Sequence, residues 1–223
     1  IHQILKTEKQ KPRNKHTPGP RVRKAMLISE DFFSIGSDSR KHNVTKVYKR
    51  HIEKGRMTED QVNKVLERYN PSTNFEDLKN VDMVIEAVFE ELNVKQEVFK
   101  TLDKVVRPGA VMASNTSYLN IDKIAAVTSR PQDVLGLHFF SPANIMKLLE
   151  VVIPSSVKAD VVNTGLSLAK KMRKVPVRAG NCDGFIGNRI LSKYGKVVAY
   201  MMEDGASPYD IDKAIFKFGL PMG

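Results

Sequence analysis

The sequence predicts an open, mostly parallel α/β sheet followed by the start of an all-helical domain. Two observations carry that expectation. Between residues 81 and 178, short β-branched apolar runs alternate with stretches of helical spacing, as in a sheet whose parallel strands are joined by crossover helices. Beyond Gly180 the strand pattern stops, and two helical segments follow at residues 185–203 and 207–218.

The elements follow in order. Residues 1–30 read as a basic linker. Residues 31–35 (Asp-Phe-Phe-Ser-Ile) read as a short strand, with a turn at 36–39. Val44, Val47, Tyr48 and Ile52 give helical spacing over 44–53, and Gly55 ends that helix. Thr58 and Gln61 form a capping box, in which each side chain satisfies an amide at the start of the next helix. That helix should run to about Tyr69, with Pro71 after it. Strands are expected at 81–88, 110–114, 134–140, 148–153 and 175–178. Helices are expected at 93–105, 121–128 and 157–172. A domain boundary is expected near 180–184, and Ser207 and Pro208 should open the last helix.

Bulk properties narrow the function. The 223 residues are 41% hydrophobic and 27% charged, which is ordinary globular composition. Apolar runs such as 83–89 are far too short to span a bilayer. One cysteine, Cys182, allows no internal disulfide and suits a reducing compartment. Residues 1–29 hold eight Lys or Arg and one Glu, so +7 of the net charge of +11 sits in that segment. It contains no aromatic residue to stack on bases, so a solvated linker is the preferred reading over nucleic-acid binding.

Chemistry points to one histidine. His2, His16, His42 and His51 lie in the linker or on the first helix, whereas His138 interrupts an apolar strand at its C-terminal end. Catalytic sites in open α/β sheets form there. Glu150 likewise interrupts the apolar run 148–153, and a carboxylate buried alone is costly. A His–Glu pair satisfies both groups, orients the ring and suits a general base that removes an alcohol proton.

Four segments, Ser114-Asn115-Thr116-Ser117, Gly136-Leu137-His138-Phe139-Phe140-Ser141-Pro142, Leu148-Leu149-Glu150 and Gly184-Phe185-Ile186-Gly187-Asn188-Arg189, together resemble the 3-hydroxyacyl-CoA dehydrogenase family. The likeness runs from about Lys46 to Gly223 and is greatest to the first dehydrogenase unit of multifunctional β-oxidation enzymes. The resemblance implies a Rossmann-type NAD-binding domain over residues 31–181 and the start of a helical domain over 182–223. It implies oxidation of L-3-hydroxyacyl-CoA with hydride transfer to NAD. His138 then matches the base and Glu150 its partner. Ser117 matches a serine near the substrate hydroxyl and nicotinamide, and Asn188 an asparagine that positions substrate. Glu90, Lys95, Asn115 and Ser117 match positions on the nicotinamide side. A hydratase domain preceding the linker is implied, as is a peroxisomal or mitochondrial-matrix location, the peroxisome favoured.

The sequence departs from the family at its start. The family opens with a strand, a G-x-G-x-x-G turn that lets the backbone approach the pyrophosphate, and a helix. Here the first 38 residues hold only Gly19 and Gly36. Residues 32–38 match the family's second strand, with Gly36 near the position of the ribose-binding acid and Asp38 close by. The first βαβ unit is therefore expected to be missing or replaced. The alternative function is an inactive truncated copy serving as a scaffold or interaction piece.

Overall fold

The computed structural model describes Val22, residues 24–29 and residues 37–220. Its centre is a six-stranded sheet in sequential order. The strands are β1 (Ala25–Ser29), β2 (Met83–Ala87), β3 (Val111–Ser114), β4 (Val134–Phe139), β5 (Leu148–Ile153) and β6 (Val175–Gly180). All neighbours run parallel except β4 and β5, which are antiparallel. Helices α1 (Ser37–Glu53), α2 (Glu59–Leu66), α3 (Leu92–Val105), α4 (Ile121–Ala125) and α5 (Ala159–Lys171) belong to the sheet domain, and α6 (Gly187–Glu203) and α7 (Pro208–Phe218) follow it.

The central strands are apolar because both faces are covered. On one face Val84, Met112 and Val152 pack with Val98, Phe99 and Leu102 of α3 and with Ile121 and Ile124 of α4. On the other, Ile85, Ala113, Leu135, Leu137 and Val151 pack with Val161 and Leu168 of α5. Gly136 lets β4 and β5 approach: a Cβ there would lie 2.7 Å from Val152 Cβ and 3.2 Å from Ile121.

Several expectations shift. Ala25–Ser29, read as linker, is strand β1, paired with β2 from Ala25 opposite Met83 to Ser29 opposite Ala87. Five residues after a basic run carry too little period to read alone. Their strand state comes from β2 and from Asp82, whose carboxylate accepts from the Lys24 amide at 2.9 Å and pairs with Arg107. The strand expected at 31–35 lies outside the described residues. The turn expected at 36–39 gives way to helix from Ser37. The Thr58–Gln61 capping box forms with both hydrogen bonds, though its helix stops at Leu66. Pro208 opens α7, but Ser207 makes no side-chain cap bond. No helix among the described residues is long and apolar enough to cross a membrane.

Candidate active site

Register brings the histidine to its partner. In the antiparallel β4–β5 pair, His138 stands directly opposite Glu150, and opposed side chains on one face lie within contact distance. His138 Nδ1 is 2.7 Å from Glu150 Oε2, with the histidine 3% exposed and the glutamate fully buried. A carboxylate only accepts, so the contact calls for a proton on Nδ1, and in a neutral ring with that proton Nε2 is the acceptor. Among the described residues Nε2 has no protein partner. The ring packs against Phe140 at 4.5 Å and Phe185 at 5.6 Å between centroids.

The other carboxylate oxygen, Oε1, accepts from the backbone amides of Ile186 at 3.1 Å and Gly187 at 2.8 Å. Those amides stand at the N-terminus of α6, where unpaired N–H groups and the helix dipole favour negative charge. Glu150 is thus buried without being alone, since three donors share its charge. Gly184 and Phe185 turn the chain into α6 with φ of +65° and +47°. A Cβ on Gly184 would come within 2.9 Å of the Arg189 nitrogen.

A second carboxylate organises the loop after β3. Glu90 Oε1 accepts from the Thr116 hydroxyl, from the Ser117 amide at 2.7 Å and from the Tyr118 amide at 3.1 Å. Burial pushes the Glu90 carboxyl up. The hydrogen bonds from Thr116 and Ser117, the Lys95 charge and the Tyr118 amide together outweigh it and hold the group below its ordinary range. Asn115 Oδ1 accepts from the Phe139 amide at 3.0 Å, tying this loop to the end of β4 beside His138. Asn188 Nδ2 makes a long contact of 3.5 Å to the Ser117 carbonyl.

Lys95 is fully buried. Its ammonium donates to Glu86 Oε1 at 2.7 Å and to the Val88 carbonyl at 3.1 Å, and forms a longer ion pair with Glu90 Oε2 at 3.6 Å. It stands behind Glu90, buried while the Glu90 side chain is partly exposed. Glu86 is a site residue that sequence reasoning missed. It is fully buried and also accepts from Ser114 Oγ at 2.6 Å and the Val88 amide at 2.7 Å. Its signal was the one that singled out Glu150, a carboxylate inside an apolar strand.

A chain of contacts joins the seven residues expected at the site. Lys95 holds Glu90, Glu90 holds the Ser117 loop, and Ser117 touches Asn188. The Gly187 amide beside Asn188 holds Glu150, Glu150 holds His138, and Asn115 fastens the residue after His138. The whole lies at the carboxyl ends of β2, β3 and β4, where open α/β sheets bind ligands.

The sheet is open and mostly parallel, and a buried His–Glu pair lies where its last strands meet the first of two following helices. The 3-hydroxyacyl-CoA dehydrogenase NAD-binding domain model matches residues 31–182, and the C-terminal domain model of the same family matches residues 184–223. The chain belongs to the 3-hydroxyacyl-CoA dehydrogenase family, an NAD-dependent oxidoreductase family. It is 50% identical over 152 residues to the peroxisomal bifunctional enzyme of Danio rerio, covering 68% of this chain and 21% of that protein. It is 39% identical over 196 residues to the glyoxysomal fatty acid beta-oxidation multifunctional protein MFP-a of Brassica napus, covering 88% of this chain and 26% of that one. The chain thus spans about a quarter or less of the length of these relatives. Among solved structures, FadB2 of M. tuberculosis superposes with a TM-score of 0.82 at 35% identity, covering 88% of this chain and 70% of that one. The 3-hydroxybutyryl-CoA dehydrogenase of Escherichia coli gives 0.82 at 34%, covering 88% and 42%.

NAD is the family's cofactor. In doubly wound sheets a dinucleotide crosses where strand order reverses, over a glycine-rich turn. The described sheet runs in sequential order with β1 at its edge, and no glycine follows β1 until Gly36.

Proposed function

We propose that this chain is the catalytic centre of an enzyme that oxidises L-3-hydroxyacyl-CoA to 3-ketoacyl-CoA in fatty-acid β-oxidation. In this reading it belongs to a peroxisomal parent protein that also carries a hydratase domain. The observation that carries the reading is the buried 2.7 Å pairing of His138 Nδ1 with Glu150, which leaves Nε2 to accept a proton. His138 takes the hydroxyl proton of the substrate, Glu150 stabilises the imidazolium that forms, and Ser117 and Asn188 hold the reacting oxygen without competing for the proton. NAD, when bound, accepts the hydride. Glu90 sets the Ser117 loop, and Lys95 positions Glu90. The test is the full-length parent with NAD and an L-3-hydroxyacyl-CoA, read by NADH absorbance. NADH formation with the L but not the D substrate is expected, and none with either would overturn the reading.

The absent glycine-rich turn favours a second reading, in which this chain alone is an inactive copy acting as a scaffold. Without a glycine-rich turn in its first 38 residues, the isolated chain should bind NADH more weakly than the micromolar range. Fluorescence titration showing micromolar affinity would remove that reading.

A further inference from the structure

Glu150 does two jobs with its two oxygens. Oε2 meets His138 Nδ1 at 2.7 Å, while Oε1 is held by the Gly187 amide at 2.8 Å and the Ile186 amide at 3.1 Å. A carboxylate has one torsional freedom about its terminal bond, and both ends of that rotor are tied here. Turning it to release the helix amides also turns Oε2 away from the imidazole. The packing repeats the link. The Phe140 ring lies on the His138 ring, and α6 comes so close that a Cβ on Gly187 would sit 2.8 Å from Phe140 Cζ.

We propose that the first turn of α6 is the positioning element for the base: by holding Glu150 Oε1, the Ile186 and Gly187 amides fix the His138 tautomer that leaves Nε2 unprotonated. Docking of the helical unit and readiness of the base are then one event. With α6 docked, Oε2 accepts the Nδ1 proton. With α6 displaced, Glu150 has lost two donors inside a buried site, and its carboxylate turns toward other donors or water. His138 then has no group selecting Nδ1–H, and its proton is shared with Nε2, where it blocks proton removal from a substrate. The coupling is reciprocal, as any linkage between two sites must be. Its mechanistic importance rests on the proposed function, but the coupling belongs to the folded chain itself.

The test removes the Gly187 donor, and a control shares its one side effect, the weaker ester carbonyl left at the preceding residue (here Ile186, which accepts from the Ile190 amide at 3.0 Å). Gly187 is replaced by glycolic acid, which turns its amide into an ester of the same shape without the N–H. A second chain carries the equivalent ester at Leu191, one turn further along α6, where a backbone donor is lost away from Glu150. The readout is the pair of 15N ring signals of His138 in the full chain without cofactor. In the unmodified chain and in the Leu191 ester these signals should report Nδ1–H with a bare Nε2. In the Gly187 ester they should move toward each other as the two tautomers mix. Unchanged signals in the Gly187 ester would overturn the proposal, and so would equal movement in both esters, which would mark a general loosening of the helix. A parent protein that forms no NADH would overturn the proposed function and leave this coupling standing.

Discussion

At the scale of single residues, this site is built on carboxylates, of which Glu86 and Glu150 are buried and Glu90 is partly exposed. Glu86, Glu90 and Glu150 each gather several donors, and each holds in place a group other than itself. Glu90 carries a pH consequence. Its folded-state pKa lies below the ordinary glutamate value, so its stabilisation is present above the unfolded pKa and is lost as pH falls through the folded one. Glu90→Gln should therefore be less stable than the parent chain near neutral pH, with the gap closing as pH drops below the ordinary carboxylate range. Urea melts over that span would show it, and a gap of constant size would contradict it. His138 and Glu150 were legible because a polar residue inside an apolar strand needs a reason. Glu86 met the same criterion and was passed over. The burial of Lys95 could not be read, because its place one turn into an amphipathic helix resembles that of any surface lysine until Glu86 and Glu90 are seen around it.

At the scale of elements, period and punctuation carried most of the architecture. The strand at Leu148–Ile153 falls where its apolar run places it, and Pro208 starts α7 as the sequence indicates. What spacing alone cannot supply is pairing. The antiparallel β4–β5 register, which puts Glu150 opposite His138, depends on the turn between them and on the side-chain fit across the pair. Strand β1 was illegible for a related cause, since its partner lies more than fifty residues away in sequence. Gly136 shows how tightly the register is set. With Val152 and Ile121 already filling the space a Cβ would take, Gly136→Ala should cost roughly 1–3 kcal/mol through overpacking. A denaturant midpoint equal to that of the unsubstituted chain would show that the strands can give way without cost.

At the scale of the whole molecule, the sheet that carries the His138–Glu150 pair and the helix whose first amides hold Glu150 come together in one described unit. The family was legible because four short motifs occur in the right order, each weak alone. The central claim is that His138, set by Glu150 at the foot of α6, is the proton acceptor. Its most direct test is the turnover of L-3-hydroxyacyl-CoA by the full-length parent carrying His138→Gln, with thermal melting to confirm the fold. A fall in kcat of at least roughly 100-fold at little changed KM is expected for loss of a general base. A correctly folded variant that keeps full turnover would contradict the account.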